Sequence, residues 1–136
     1  RDFDLPGAES VSAGERLFLD LGAVREIARV RLNGQDLGVV WTAPWRVEIT
    51  GDVRPRQNRL EIEVANLWPN RLIGDEEHPD DGVREGRWPE WLLAGTPRTS
   101  GRFTFTTHRY YKKGDRLLPS GLLGPVSVLS AAGAAR

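Results

Sequence analysis

The sequence has no cysteine. Disulfides, thiolate nucleophiles and zinc–thiolate sites are therefore excluded, while the redox compartment stays open. It has no methionine either, not even at position 1. That predicts a chain excised from a longer one, in which a signal peptide would not be visible. Lys112 and Lys113 are the only lysines among 19 basic residues, and the arginine bias points to a bacterium with a GC-rich genome. His78 and His108 are the only histidines, and they make neither a metal site nor a catalytic triad. Neither sign of charge is in surplus, because 19 acidic residues balance the 19 basic ones. A general nucleic-acid binder or an anionic-membrane binder would carry a basic excess. No apolar run approaches the ~20 residues needed to cross a bilayer. Internal repeats and a sustained helical period are also missing.

What is present is alternation. The chain of 136 residues, 39% hydrophobic and 28% charged, suits one folded domain. Leu60, Ile62 and Val64 alternate with Arg59, Glu61 and Glu63, so one face of this strand covers a core and the other meets water. The same pattern places Leu17, Leu19 and Leu21 on one face, and Ala28, Val30 and Leu32 against Arg29 and Arg31. Asn33-Gly34 tolerates the positive φ values of a tight hairpin turn. The return strand is then Leu37 to Trp41. After Thr42-Ala43-Pro44, Trp45, Val47 and Ile49 alternate with Arg46, Glu48 and Thr50. Asn58 opens the next strand, where its side chain can satisfy turn backbone.

Beyond Asn66 the pattern stops. Trp68-Pro69 and Asn70-Arg71 read as loop chemistry, and residues 67–101 hold four prolines and an acidic cluster. A long loop is expected, with a short helical turn near Glu90 to Leu93. A loop this long in a compact domain is usually functional or held by a partner. Strand pattern resumes at Arg102 to Thr107 and again at Leu122 to Leu129, with Val126 and Val128 inward. About seven short strands predict an all-β fold, an antiparallel β-sandwich. The expected organisation is a lead-in segment or linker at 1–14, one sandwich over 15–130 with its Trp-rich loop, and a frayed tail at 131–136. Leu19, Val30, Leu32, Val39, Leu60, Ile62, Val64, Phe103, Phe105 and Val128 are the expected core, with Trp41 and Trp45 mainly inside it.

The stretch VRLNGQDLGVVWTAPWRVEIT followed by NRLEIEVAN resembles the galactose-binding-like jelly rolls attached to many glycoside hydrolases. NLWPNRLIGDE, WPEWLL, SGRFTFTT and LLPSGLLGPV resemble the C-terminal β-sandwich of α-L-rhamnosidase-type enzymes of glycoside hydrolase family 106. The resemblance runs from Leu17 to Val128. It implies a non-catalytic accessory domain, because hydrolysis in that family belongs to a barrel domain elsewhere in the chain. It also implies the catalytic domain of the parent chain as a partner, and an extracellular or periplasmic location through the parent protein.

Carbohydrate is the second partner considered, including rhamnose-containing sugars. Sugar rings present apolar C–H faces that stack on indoles, while their hydroxyls bond to amides, carboxylates and guanidinium groups. Trp68, Asn70, Arg71, Trp88, Glu90, Trp91 and Arg98 are candidates for such contacts. The alternative is that these tryptophans pin the loop or pack against a partner domain, since buried and exposed Trp look alike in sequence. Asp75, Glu76 and Asp80, with Glu77 and Asp81 beside them, are oxygen donors that calcium could use. Their spacing matches no EF-hand loop, His78-Pro79 interrupts it, and a solvated acidic loop is the better explanation. No cofactor is expected beyond that ion. Paired carboxylates also serve glycoside hydrolysis, which leaves an independent hydrolase as a remote alternative that turnover of an aryl rhamnoside would reveal.

Overall fold

Alternation and turn chemistry settle most of the strands. The computed structural model describes residues 1–10, 12 and 14–132. Its strands are β1 (Asp2–Phe3), β2 (Glu15–Asp20), β3 (Ala23–Arg25), β4 (Ile27–Leu32), β5 (Gln35–Val40), β6 (Arg46–Glu48), β7 (Asn58–Ala65), β8 (Gly121–Gly124) and β9 (Ser127–Ala132). Two short α-helices, α1 (Pro69–Asp75) and α2 (Glu90–Leu93), and a 3-10 turn at Ala8–Ser10 interrupt them. The chain divides into two compact units, Arg1–Asn66 with Ser120–Arg136, and Leu67–Pro119.

All nine strands belong to the first unit, and every strand pair among the described residues is antiparallel. The sheets have the orders β1-β7-β4-β5, β6-β2-β9 and β3-β8. The apolar faces read from the sequence meet in one core. Leu17, Leu19, Leu21, Ala28, Val30, Leu32, Val47 and Ile49 are buried, and Leu60, Ile62, Val64, Trp45 and Val128 pack half-buried against them. Burial of such side chains is worth roughly 1.5–3 kcal/mol each relative to exposure. This is the antiparallel β-sandwich that the alternation predicts.

The β4–β5 turn forms at Asn33-Gly34, with φ of 54° and 84°. Asn33 also ties the hairpin to the next turn. Its Nδ2 donates to Asn58 Oδ1 at 3.0 Å and to the Asp52 carbonyl at 2.8 Å. Asn58 is fully buried yet fully used. Its Oδ1 accepts from the Arg54 N–H at 2.7 Å, and its Nδ2 donates to the Arg54 carbonyl at 2.6 Å. A buried amide is tolerated only when bonded in this way.

Several expectations need correction. Val39 faces solvent. Val30 pairs with Gly38 but Arg31 pairs with Asp36, so Leu37 is an extra residue in β5. That bulge shifts the alternation by one and turns Val39 to the face of Arg29. Trp41 lies just past β5 and is 72% exposed, not core, whereas Trp45 does pack on the core. The expected last strand is two, β8 and β9, because Pro125 has no N–H to continue a ladder. Val126, between them, is exposed. Residues 1–14 are more than a lead-in, since β1 pairs with β7. In the expected tail, Ala131 and Ala132 pair with Arg16 and Glu15, and 133–136 lie outside the described residues. Phe103 and Phe105 belong to the second unit and not to the sandwich core.

Candidate functional site

The second unit, Leu67–Pro119, contains the Trp-rich stretch. The expected loop at Trp68 to Arg71 is the start of α1. Pro69 sits in its first turn, where a missing N–H costs nothing and the fixed φ suits a helix. The Leu72 N–H donates to the Trp68 carbonyl at 3.0 Å. Asp75 ends α1 and is 2% exposed. Its carboxylate accepts the N–H groups of Phe103 at 3.1 Å and Thr104 at 2.6 Å, together with the Thr104 hydroxyl. This explains why the alternating run Arg102 to Thr107 is no strand. Its backbone donors are taken by a carboxylate, and the Thr104 carbonyl accepts from Arg98 Nη1 at 2.7 Å. The Phe103 and Thr104 N–H groups and the Thr104 carbonyl are thus not free for a ladder partner.

Charges occupy the inside of this unit. Asp81 accepts a two-pronged contact from Arg98, at 2.5 and 2.7 Å, and a hydrogen bond from the Ser100 hydroxyl. Arg102 donates to Glu76 at 2.8 Å and to the Pro79 and His78 carbonyls. Arg109 pairs with Asp80. The Arg98 guanidinium beside Asp81 holds its carboxyl down at about 2, against the opposing effect of burial. Burial pushes the Asp75 carboxyl up, but the Thr104 hydroxyl and the two N–H donors outweigh it and the net shift is downward. Asp80 is also lowered, with the Gly82 N–H and Arg109 prevailing over burial. A general acid needs the opposite shift. These carboxylates are held ionised and already partnered. A polar cleft of about 260 Å³ lies among Asp80, Arg98, Arg102, Thr106 and Arg109, and its guanidinium groups are answered in turn by Asp81 for Arg98, Glu76 for Arg102 and Asp80 for Arg109.

Rings and aliphatic side chains occupy the outside. Phe103 is 70% exposed, with the Arg71 guanidinium 5.0 Å over its ring. Phe105 is stacked on Trp88 at 6.1 Å and meets the edge of Trp91 at 5.9 Å. Trp91 is half-buried. Its Nε1–H donates to the Asp81 carbonyl at 2.8 Å and Arg98 lies over its ring. Trp68 and Trp88 are exposed, as are Leu67, Leu93 and Tyr110.

The candidate sugar contacts therefore fall into separate places. Trp88, Trp91 and Arg98 come together around Phe105 and Asp81. Arg98 is spent on Asp81 and Thr104. Asn70 is spent on Leu118, donating to its carbonyl and accepting its N–H, both at 2.8 Å. Arg71 lies over Phe103, and Glu90 is exposed at the start of α2. The partners of Asp75 and Asp81, namely Thr104 and Ser100, were missed from sequence. Arg102 and Thr104 alternate with Phe103 and Phe105, so either set could have faced inward, and the apolar set was the natural choice.

Among the described residues no group of three or more Asp, Glu, His or Cys is placed to hold a metal ion. Asp75, Glu76 and Asp80 have arginine or backbone partners instead, and Glu77 pairs with Lys113. Millimolar calcium is therefore expected to leave the melting temperature unchanged, since only a ligand of the folded state raises it. A rise of several degrees that Asp80→Asn removes would show that calcium displaces these partners.

The sequence profile of the glycosyl hydrolase 2 galactose-binding domain-like family matches residues 1–108. The chain belongs to that family. A Formosa agariphila protein named provisionally as a beta-glucuronidase is 49% identical over 122 residues, which are 87% of this chain and 10% of that protein. The structure of a rhamnosidase from Novosphingobium sp. PP1Y shares the fold with a TM-score of 0.68 at 37% identity, over 96% of this chain and 10% of that one. A Bifidobacterium dentium beta-glucuronidase, solved with coumarin-3-O-glucuronide, aligns at a TM-score of 0.44 and 26% identity over 71% of this chain and 15% of that one. The family member described here thus spans about a tenth of the length of the first two.

Proposed function

We propose that the chain is a non-catalytic accessory domain of a longer, α-L-rhamnosidase-like glycoside hydrolase of family 106 type, and that Leu67–Pro119 docks on the rest of that polypeptide. One observation carries this reading. The second unit turns its charges inward and its rings outward, with Trp68, Trp88, Leu93, Phe103 and Tyr110 all exposed. Soluble monomers rarely expose so much apolar surface without a partner. About nine-tenths of each of the first two relatives lies outside the matched stretch, which is ample chain to cover it. The rhamnosidase fold match supports the rhamnosidase reading, while the beta-glucuronidase relative keeps a glucuronide-acting parent as the competing one. An extracellular or periplasmic location, carried by the parent protein, is part of the same proposal.

Direct carbohydrate binding is the second reading, favoured by the half-open Trp88 ring stacked on Phe105. Titration with rhamnose and rhamnose-containing oligosaccharides, read by Trp fluorescence, separates the two. Docking predicts no saturable response at millimolar sugar and a tendency of the isolated chain to self-associate. Trp68→Gln and Leu93→Gln should weaken that self-association in sedimentation velocity. Saturable quenching that Trp88→Ala abolishes, in a folded variant, would replace docking by sugar binding.

A further inference from the structure

β7 is eight residues long, but β1 pairs only with Asn58 and Arg59. One more step is made at Arg1, whose terminal amino group donates to the Leu60 carbonyl at 2.8 Å and whose carbonyl accepts the Leu60 N–H at 2.9 Å. In an antiparallel ladder the backbone groups of successive residues point to opposite sides. Leu60 points away from β4, so Ile62 and Val64 do too. Among the described residues their N–H and C=O groups form an unpaired edge that continues the line of β1, because β7 has no other strand partner there on that side.

The side chains beside this edge are also uncovered. A cleft of about 540 Å³ opens between Phe3, Leu19, Leu60, Ile62, Val126 and Val128. Its walls are predominantly apolar, yet Val126 is exposed, and Leu60 and Ile62 are only half-buried. The opposite edge of the same sheet differs. β5 carries the bulge at Leu37, and bulges blunt an edge against pairing. The β7 edge has no such protection, and it adjoins apolar space that a strand's inward side chains would occupy.

We propose that an extended segment of the longer polypeptide pairs antiparallel with Glu61–Ala65, in line with β1, and fills this cleft. Cross-strand neighbours share a face of the sheet. The position opposite Ile62 therefore carries an apolar, branched side chain directed into the cleft that Ile62 lines, and the position opposite Val64 carries an apolar one on the same face of the sheet. The positions opposite Glu61 and Glu63 carry lysine, arginine or threonine. This rests on the reading of the chain as one domain of a longer glycoside hydrolase. It concerns a different surface from Leu67–Pro119, so its failure and the failure of the docking reading are separable.

Amide hydrogen exchange tests it on the 136-residue chain and on the full polypeptide that carries it. In the 136-residue chain the Ile62 and Val64 amides should exchange quickly, while the Glu61 and Glu63 amides, which face β4, are protected. In the full polypeptide the Ile62 and Val64 amides should slow by at least about a thousandfold, since a buried strand opens only with global or subglobal unfolding. Fast exchange at both positions in the full polypeptide would overturn the proposal. So would slow exchange already present in the 136-residue chain. If that protection grew with protein concentration, the edge would belong to a second copy; if it did not, the edge is closed within the chain. Self-association that Trp68→Gln relieves, with an edge left open in the full polypeptide, would sink the strand alone and leave the docking reading standing.

Discussion

Gly22→Ala is expected to leave the sandwich unable to fold stably. Gly22 links β2 to β3 and bridges Gly124, with φ of +67°. A Cβ there would lie 2.4 Å from the Gly124 carbonyl carbon, 2.5 Å from its oxygen and 2.6 Å from the Pro125 oxygen. These are backbone atoms, so no rotamer change relieves the overlap. The left-handed conformation costs a non-glycine residue ~1–3 kcal/mol, and forcing extra volume into a packed site costs a similar ~1–3 kcal/mol. Their sum is a large part of the ~5–15 kcal/mol that holds a domain together. Gly34→Ala is the control. Gly34 also has positive φ, +84°, but a Cβ there meets open space, so only the conformational cost remains. Urea unfolding followed by circular dichroism should show Gly34→Ala weakened and Gly22→Ala unfolded or nearly so. Equal effects from the two would mean that β2–β3 and the Gly124 turn do not approach so closely.

The second large effect is expected from acid and from Asp81. Its carboxyl lies at about 2 in the folded chain, chiefly because of Arg98, against ~3.9 when unfolded. A lowered folded value means stability that is fully present above pH ~4 and is lost as pH falls toward 2. The shift corresponds to about 2 kcal/mol. Asp81→Asn removes it and leaves Arg98 partly buried opposite an uncharged amide. Breaking a fully buried pair costs ~3–5 kcal/mol. Here both partners retain some exposure, 16% and 14%, so about 2–3 kcal/mol is expected at pH 7. Unfolding followed by Trp fluorescence reports on it, because Trp91 bonds the Asp81 carbonyl and lies under Arg98. The gap between parent and Asp81→Asn should close steadily from pH 4 to pH 2. A gap that stays constant over that range would show that the carboxylate charge is not what Arg98 contributes.

These two sites differ in how far the sequence announces them. Gly22 follows a clean alternating run and reads only as a strand end; its contact with Gly124, about a hundred positions later, has no local signature. Asp81 sits in an acidic cluster whose plain reading is a solvated loop. Its partners Arg98 and Ser100 are separated from it by two tryptophans and α2. The alternation at Phe103 and Phe105 was legible but misleading. Period two fixes that two sets of side chains face opposite ways, and it does not say which set is inward. In the sandwich strands the apolar set is inward, because burial of Leu, Ile and Val outweighs any polar alternative. In Leu67–Pro119 the arginine–carboxylate pairs took the interior and displaced the phenylalanines.

The sequence by itself determined β2, β4, β5, β6 and β7, the Asn33-Gly34 hairpin, the short helix at Glu90 and the all-β class. Each of these is written in spacings of a few residues, where backbone geometry and side-chain direction are coupled directly. Only the tertiary structure decided the outward turn of Val39, the exposure of Trp41, the helix at Pro69–Asp75 and the ring-covered exterior of Leu67–Pro119. Each depends on a partner distant in the chain or on a one-residue shift between strands. A bulge opposite β4 and a carboxylate twenty-eight positions from the amide it receives change which face is buried without changing the pattern of the sequence that carries it.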